Sequence, residues 1–161
     1  MIQVDEHVVA APPDVCFDVG ADVERWPDIL PHYRWVRFHR KDAFATGVVE
    51  MSAYRDFAGP LRWPTWWVSD MTCDAAAPVV RYRHIDGVTT GMDVVWEFHE
   101  HPRGTHIRLV HEWDGPRWPL IGGFAARHVI LPRFVGHIAP RTLAGVAAEA
   151  ERRAATRRAA R

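Results

Sequence analysis

Apolar and polar residues alternate with period two along much of the chain, and the period lengthens to that of a helix only towards the C-terminus. Alternation sends successive side chains to opposite faces of a strand, whereas recurrence every three to four residues keeps them on one helix face. Ile2–Ala10 is short, apolar and β-rich, and reads as a strand. Ala11–Gly20 reads as a helix: Pro12 or Pro13 fixes φ near the first turn, Val15, Cys16 and Val19 share a face, and Gly20 suits the stop. Asp22 is placed to cap a second short helix running into Trp26-Pro27, and Pro31 marks another break. Strand-like runs follow at Tyr33–Arg40, Gly47–Arg55, Arg62–Asp74, Val79–Ile85, Gly91–Glu100 and Thr105–Trp113, separated by turn residues. Beyond Pro119 and a Gly122-Gly123 hinge, Phe134, Ile138, Val146 and Ala150 recur at helical spacing, flanked by Val135 and Leu143. Pro132 suits the start of that helix, and Pro140 should kink or interrupt it.

A single antiparallel sheet must cover its apolar face, and one long helix laid across a curved sheet does so. The expected fold is therefore α+β: a helix-grip arrangement with a curved antiparallel sheet wrapped around a long C-terminal helix, and two short helices after the first strand. Residues 1–153 are expected to form one domain, with 154–161 a basic tail. The space between helix and sheet is where a cavity would form.

Charge narrows the partners. The 161 residues carry 20 basic and 20 acidic side chains, so a broad nucleic-acid surface is not expected. No apolar run approaches the roughly 20 residues needed to span a bilayer. Two cysteines, Cys16 and Cys73, are too few for a disulfide framework and fit a reducing, cytoplasmic setting. Asp5, Glu6 and His7 interrupt the N-terminus before any signal-peptide core.

The densest aromatic stretch holds Trp63, Trp66 and Trp67. Burying one tryptophan is worth roughly 4–6 kcal/mol before entropy, so the three pack in a core, line a cavity or cover an interface. Monomer and homodimer both stay open. Trp67, Ser69 and Met71 share one strand face, and Met92, Val94 and Trp96 share another. Arg55 alternates with Val49, Met51 and Ala53; it points inward to polarise a carbonyl, or outward to pair with Asp56. His111 alternates with Ile107, Leu109 and Trp113 and is either a general base or hydrogen-bonded structure, the reading that also attaches to His84. His99 and His101 share a face but run into the Pro102–Gly104 turn with no further ligand at motif spacing, so no metal is expected. No P-loop, G-x-S-x-G or dinucleotide fingerprint is present, and no cofactor is expected.

Particular residues extend this reading. The strings VVAAPPDVCFDV from Val8, DVERWPDILPHY over Asp22–Tyr33, WVS over Trp67–Ser69 and GMDVVW over Gly91–Trp96 resemble the polyketide cyclase/dehydrase (aromatase/cyclase) group of the START-like, Bet v 1-like superfamily. Glu112-Trp113 and the RTLAGV string from Arg141 belong to the same resemblance, which covers Val8 to about Arg153. It implies a helix–sheet cavity in which a reactive poly-β-ketone chain bends and undergoes aldol closure and dehydration. It also implies that Trp26, Tyr33, Trp67, Ser69, Met92 and Trp96 face that cavity, with Trp63 at its entrance and Trp66 pointing the other way. Tyr33, Ser69, Arg55 and His111 are the expected catalytic groups. Leu30, Met71, Leu109, Phe134 and Leu143 complete the expected apolar lining. The implied partner is an apolar or polyketide ligand, delivered by an acyl carrier protein. The chain departs from the group at Met71, where aromatase/cyclases carry arginine, and at Leu143, which matches an asparagine. Methionine cannot donate a hydrogen bond to an enolate, so a non-catalytic carrier of a quinone, lipid or pigment is the alternative expectation.

Overall fold

A computed structural model describes residues 1–56, 62–116 and 135–160, apart from the side chains of Arg55 and Asp56. The strands are β1 (Ile2–Val9), β2 (Tyr33–Ala43), β3 (Thr46–Asp56), β4 (Arg62–Asp74), β5 (Val79–Gly87), β6 (Asp93–His101) and β7 (Gly104–Glu112). The helices are α1 (Pro13–Ala21), α2 (Trp26–Ile29) and α3 (Gly136–Ala159), with a 3-10 turn at Val23–Arg25 before α2. All seven strands form one antiparallel sheet in the order β1-β7-β6-β5-β4-β3-β2. The meander from β2 to β7 needs only short hairpins, and β1 joins by pairing with β7 along its length, Ile2 opposite Glu112 and Val9 opposite Thr105. The expected α+β helix-grip architecture is what the chain forms.

Register breaks supply curvature. β2 shifts against β3 at three places between Tyr33 and Ala43, and β5 shifts against β4 where Val68 faces Asp86 but Ser69 faces His84. The odd residue, Ile85, is extruded to solvent. Such bulges bend the strand and increase its twist. α3 closes the concave side against β1, β3 and α1, and its buried residues Ala139, Leu143, Val146, Ala147, Ala150 and Ala154 form one small-residue face that lets the helix approach closely.

Several local expectations are corrected. Gly20 does not end α1 but lies inside it, where a Cβ would come 2.6 Å from Phe98 Cζ; tertiary packing requires the glycine. Asp22 precedes the 3-10 turn without a side-chain capping bond. Pro140 does not interrupt α3; as its fifth residue it forfeits only the bond to the Gly136 carbonyl. The basic C-terminal run, read as a helix end and tail, continues α3 to Ala159, and within it Arg157 donates to Asp14 at 2.7 Å. β6 also begins at Asp93 rather than Gly91, because Gly91 adopts φ 87° in the preceding turn. The readings of Pro119, Gly122-Gly123, Pro132 and Phe134 fall outside the described residues.

Candidate functional site

Between α3 and the sheet lies a cavity of about 650 Å³, its open mouth included. Its aromatic wall is a chain of rings drawn from five elements. Trp96 sits 5.8 Å from Trp26, Trp26 5.2 Å from Tyr33, and Tyr33 6.1 Å from Trp67, which stacks on His84 at 6.1 Å and 16°. Trp26 is fixed by its Nε1 donating to the Val19 carbonyl at 3.0 Å. Trp67 is thus a cavity wall. Trp63 and Trp66, 61% and 46% exposed, stay outside that arc.

The turn after β5 builds the polar side. Gly87 (φ 97°) abuts the backbone of Trp66, where a Cβ would lie 2.7 Å from the carbonyl oxygen. The chain then returns through the bonds Gly91 N to His84 O at 2.8 Å and His84 N to Met92 O at 2.9 Å. This places the Thr89 hydroxyl 2.7 Å from His84 Nδ1 and puts Met92 in the wall. His84 is thereby hydrogen-bonded structure and cavity lining at once. From α3, Thr142 Oγ1 lies 2.9 Å from the Ile138 carbonyl, to which it can donate, and 2.9 Å from His32 Nε2.

Register organises the floor. Tyr82 of β5 pairs with Val94 of β6, and Val94 pairs with His111 of β7, so the three face the cavity in one row. Met71 of β4 ends the same row beside Tyr82. The Tyr82 hydroxyl and His111 Nδ1 are buried without a hydrogen-bond partner among the described residues. Leaving such a group unpaired costs about 1–3 kcal/mol each.

Among the described residues the wall is electrically neutral. Burial pushes the His111 imidazole down to about 4. Burial, then the nearby His111 and Arg83, push His84 down to about 3. Burial raises the phenols of Tyr33 and Tyr82 above their ordinary value, with the Thr142 hydroxyl partly opposing this at Tyr33. Two neutral imidazoles and two neutral phenols therefore belong to the lining residues of this cavity at neutral pH. No Asp, Glu, Lys or Arg is among the described lining residues.

Of the residues singled out from sequence, Trp26, Tyr33, Trp67, Met92, Trp96, Leu109 and His111 line this cavity. Leu30, Ser69, Met71 and Leu143 are buried but outside its lining. Leu30 packs over Gly145 of α3, Ser69 pairs across to Val49 and His84 with its Oγ buried and without a hydrogen-bond partner among the described residues, and Met71 pairs with Tyr82. The Arg55 side chain and Phe134 lie outside the described residues. Sequence reasoning missed Tyr82, Thr89 and Thr142. The alternation Val80–Tyr82–His84 already marks Tyr82 as inward-facing once His84 is so read.

A model of the family described as polyketide cyclase / dehydrase and lipid transport matches residues 9–129. The chain belongs to that family. A Streptomyces cyaneus protein with the provisional name polyketide cyclase is 32% identical over 110 residues, covering 68% of this chain and 70% of that one. Among solved structures, the Zhui aromatase/cyclase from Streptomyces sp. R1128 superposes with a TM-score of 0.74 at 25% identity, over 95% of this chain and 96% of that one. Ginseng major latex-like protein 151 from Panax ginseng, 10% identical, superposes at 0.68 over 96% of this chain and 97% of that one, and shows the fold alone. The family and its aromatase/cyclase members support a cyclase-type role on a small-molecule ligand. Among the described residues, no helix is long and apolar enough to cross a membrane.

Proposed function

We propose that the protein is an aromatase/cyclase-type enzyme that binds a polyketide or phenolic intermediate in the helix–sheet cavity and promotes regiospecific cyclisation and dehydration. The observation that carries this reading is the set of neutral hydrogen-bonding side chains, Tyr33, His84, Thr89 and His111, in the lining of an otherwise apolar cavity. A pure carrier of hydrocarbon-like ligands gains nothing from polar side chains that must be desolvated in its wall.

His111, neutral at physiological pH, takes the proton of a methylene flanked by two ketones. The C–H electron pair passes into the enolate. Tyr33, held protonated, donates a hydrogen bond to the oxygen on which that charge develops. The enolate carbon attacks a second carbonyl carbon, whose oxygen leaves as water after taking the proton back from His111 and a second from the adjacent carbon. Trp26, Trp67 and Trp96 hold the chain bent, and such confinement alone supplies several kcal/mol. No cofactor enters this scheme. The ligand arrives on an acyl carrier protein, and residues 1–153 act as one domain. Arg55 and Ser69 have no step assigned.

The test is incubation with a minimal polyketide synthase and comparison of products by liquid chromatography–mass spectrometry. The expected result is collapse of the spontaneous shunt mixture to one cyclised aromatic product. A profile identical to the protein-free control refutes the enzyme. It then favours the carrier reading, to which the buried apolar Met71 and Leu143 point.

A further inference from the structure

We propose that His84 contacts the ligand: clamped between Trp67 and Thr89, it offers an Nε2 proton to a carbonyl oxygen of a neutral molecule in the cavity, and Thr89 is the residue that positions it. The clamp acts on every part of His84. Its backbone N–H donates to the Met92 carbonyl at 2.9 Å, and its own carbonyl accepts from the Gly91 N–H at 2.8 Å. Its ring stacks on Trp67 at an interplanar angle of 16°. Thr89 Oγ1 lies 2.7 Å from Nδ1. Thr89 is itself held. The Met92 N–H donates to its carbonyl at 3.0 Å, and Trp113 Nε1 donates to the next carbonyl, that of Thr90, at 3.0 Å. With one ring face and Nδ1 engaged, Nε2 is the polar atom left for a ligand. His84 lines the cavity, and Nε2 is not among the buried side-chain atoms that lack a partner, unlike His111 Nδ1.

The proton count follows from the clamp. Burial, then His111 and Arg83, keep the ring neutral at physiological pH, so it carries a single N–H. A hydroxyl that gives its proton to Nδ1 leaves that N–H on Nε2. A donor asks for a carbonyl oxygen. Among the described lining residues none carries a charge that would hold a carboxylate or an amine, so a neutral ketone is the class. Tyr33 serves the developing enolate in the scheme above, so His84 takes a second carbonyl and sets how the chain lies in the cavity. The inference rests on the reading of this cavity as the substrate site, but not on turnover.

The probe is acetophenone, titrated into protein carrying isotope-labelled histidine and followed by nuclear magnetic resonance. The control is α-methylstyrene, which has a methylene in place of the carbonyl oxygen. The free protein should show the His84 proton on Nε2, and acetophenone should shift that nitrogen. The preference for acetophenone over α-methylstyrene should fall about ten-fold in His84→Phe, the effect of one buried neutral hydrogen bond. Thr89→Val keeps the shape without the hydroxyl and should lose most of the preference, and Thr89→Ser should restore it. A merely structural role for either residue would weaken both ligands alike. A proton found on Nδ1, an Nε2 signal that acetophenone leaves unmoved, or a His84→Phe or Thr89→Val variant that keeps the full preference overturns the proposal. The first two are read on the wild type, so they decide the matter even where a variant fails to fold. If the preference depends on His84 but no ring is closed in the synthase assay, the enzyme reading fails and the site stands. If rings are closed and the preference does not depend on His84, the reverse follows.

Discussion

Replacing His111 with glutamine is expected to slow ring closure by about 100-fold or more while the chain stays folded. A positioned general base contributes roughly 10²–10⁴-fold. Glutamine keeps a neutral polar side chain in a position only 8% exposed, but its amide is no base. The measurement is a single-turnover rate on a poly-β-ketone thioester, followed by mass spectrometry, with circular dichroism to verify the fold. A loss below about five-fold would remove His111 from the proton-transfer step. The same substitution should not lower stability much, because among the described residues Nδ1 has no hydrogen-bond partner for glutamine to lose.

The second large effect is on stability against pH. In the unfolded chain a histidine titrates near 6.5, whereas His111 and His84 are pushed down to about 4 and about 3 in the folded protein. Between those values the unfolded state binds protons that the native state does not, so stability must fall as the pH falls. The loss begins near pH 6.5, continues to about 4, and for His84 to about 3. Each tenfold change in proton affinity corresponds to about 1.4 kcal/mol, so His111 alone is worth on the order of 3 kcal/mol. Chemical denaturation at pH 7.5 and pH 4.5 checks this: the wild type should lose several kcal/mol, and a double replacement of His84 and His111 by glutamine should lose much less. Equal losses in both proteins would show that the imidazoles are not held neutral by burial. The carboxyl of Asp14 is held below its usual range by the hydrogen bond from Arg157.

Strands, helices and most of the aromatic wall were legible in the sequence because they rest on local periodicity. Val79–Ile85 and Thr105–Trp113 alternate cleanly, and the observed strands begin and end within two residues of those limits. Trp67, Met92 and Trp96 were placed by alternation together with the family strings. What stayed hidden depends on contacts distant in sequence. Gly20 has the local look of a helix stop, yet Phe98, far along the chain, decides its role. The bulge at Ile85 exists only in the pairing of β5 with β4, and it sets how the following turn brings Thr89 onto His84. Tyr82 was missed although the Val80–Tyr82–His84 alternation runs through it, and its place beside Val94 and His111 needs the register of three strands. An unpaired buried atom is likewise a property of the whole fold, so no motif could announce it.

The central claim is that a buried, neutral imidazole in this cavity removes the proton that starts ring closure. The pH dependence of the single-turnover rate tests it most directly. With His111 pushed down to about 4, the base stays available throughout the range above pH 5, and the rate should be flat from pH 7.5 to about 5. A rate that falls with an apparent pKa near 6.5, the value of an imidazole in water, would contradict the claim.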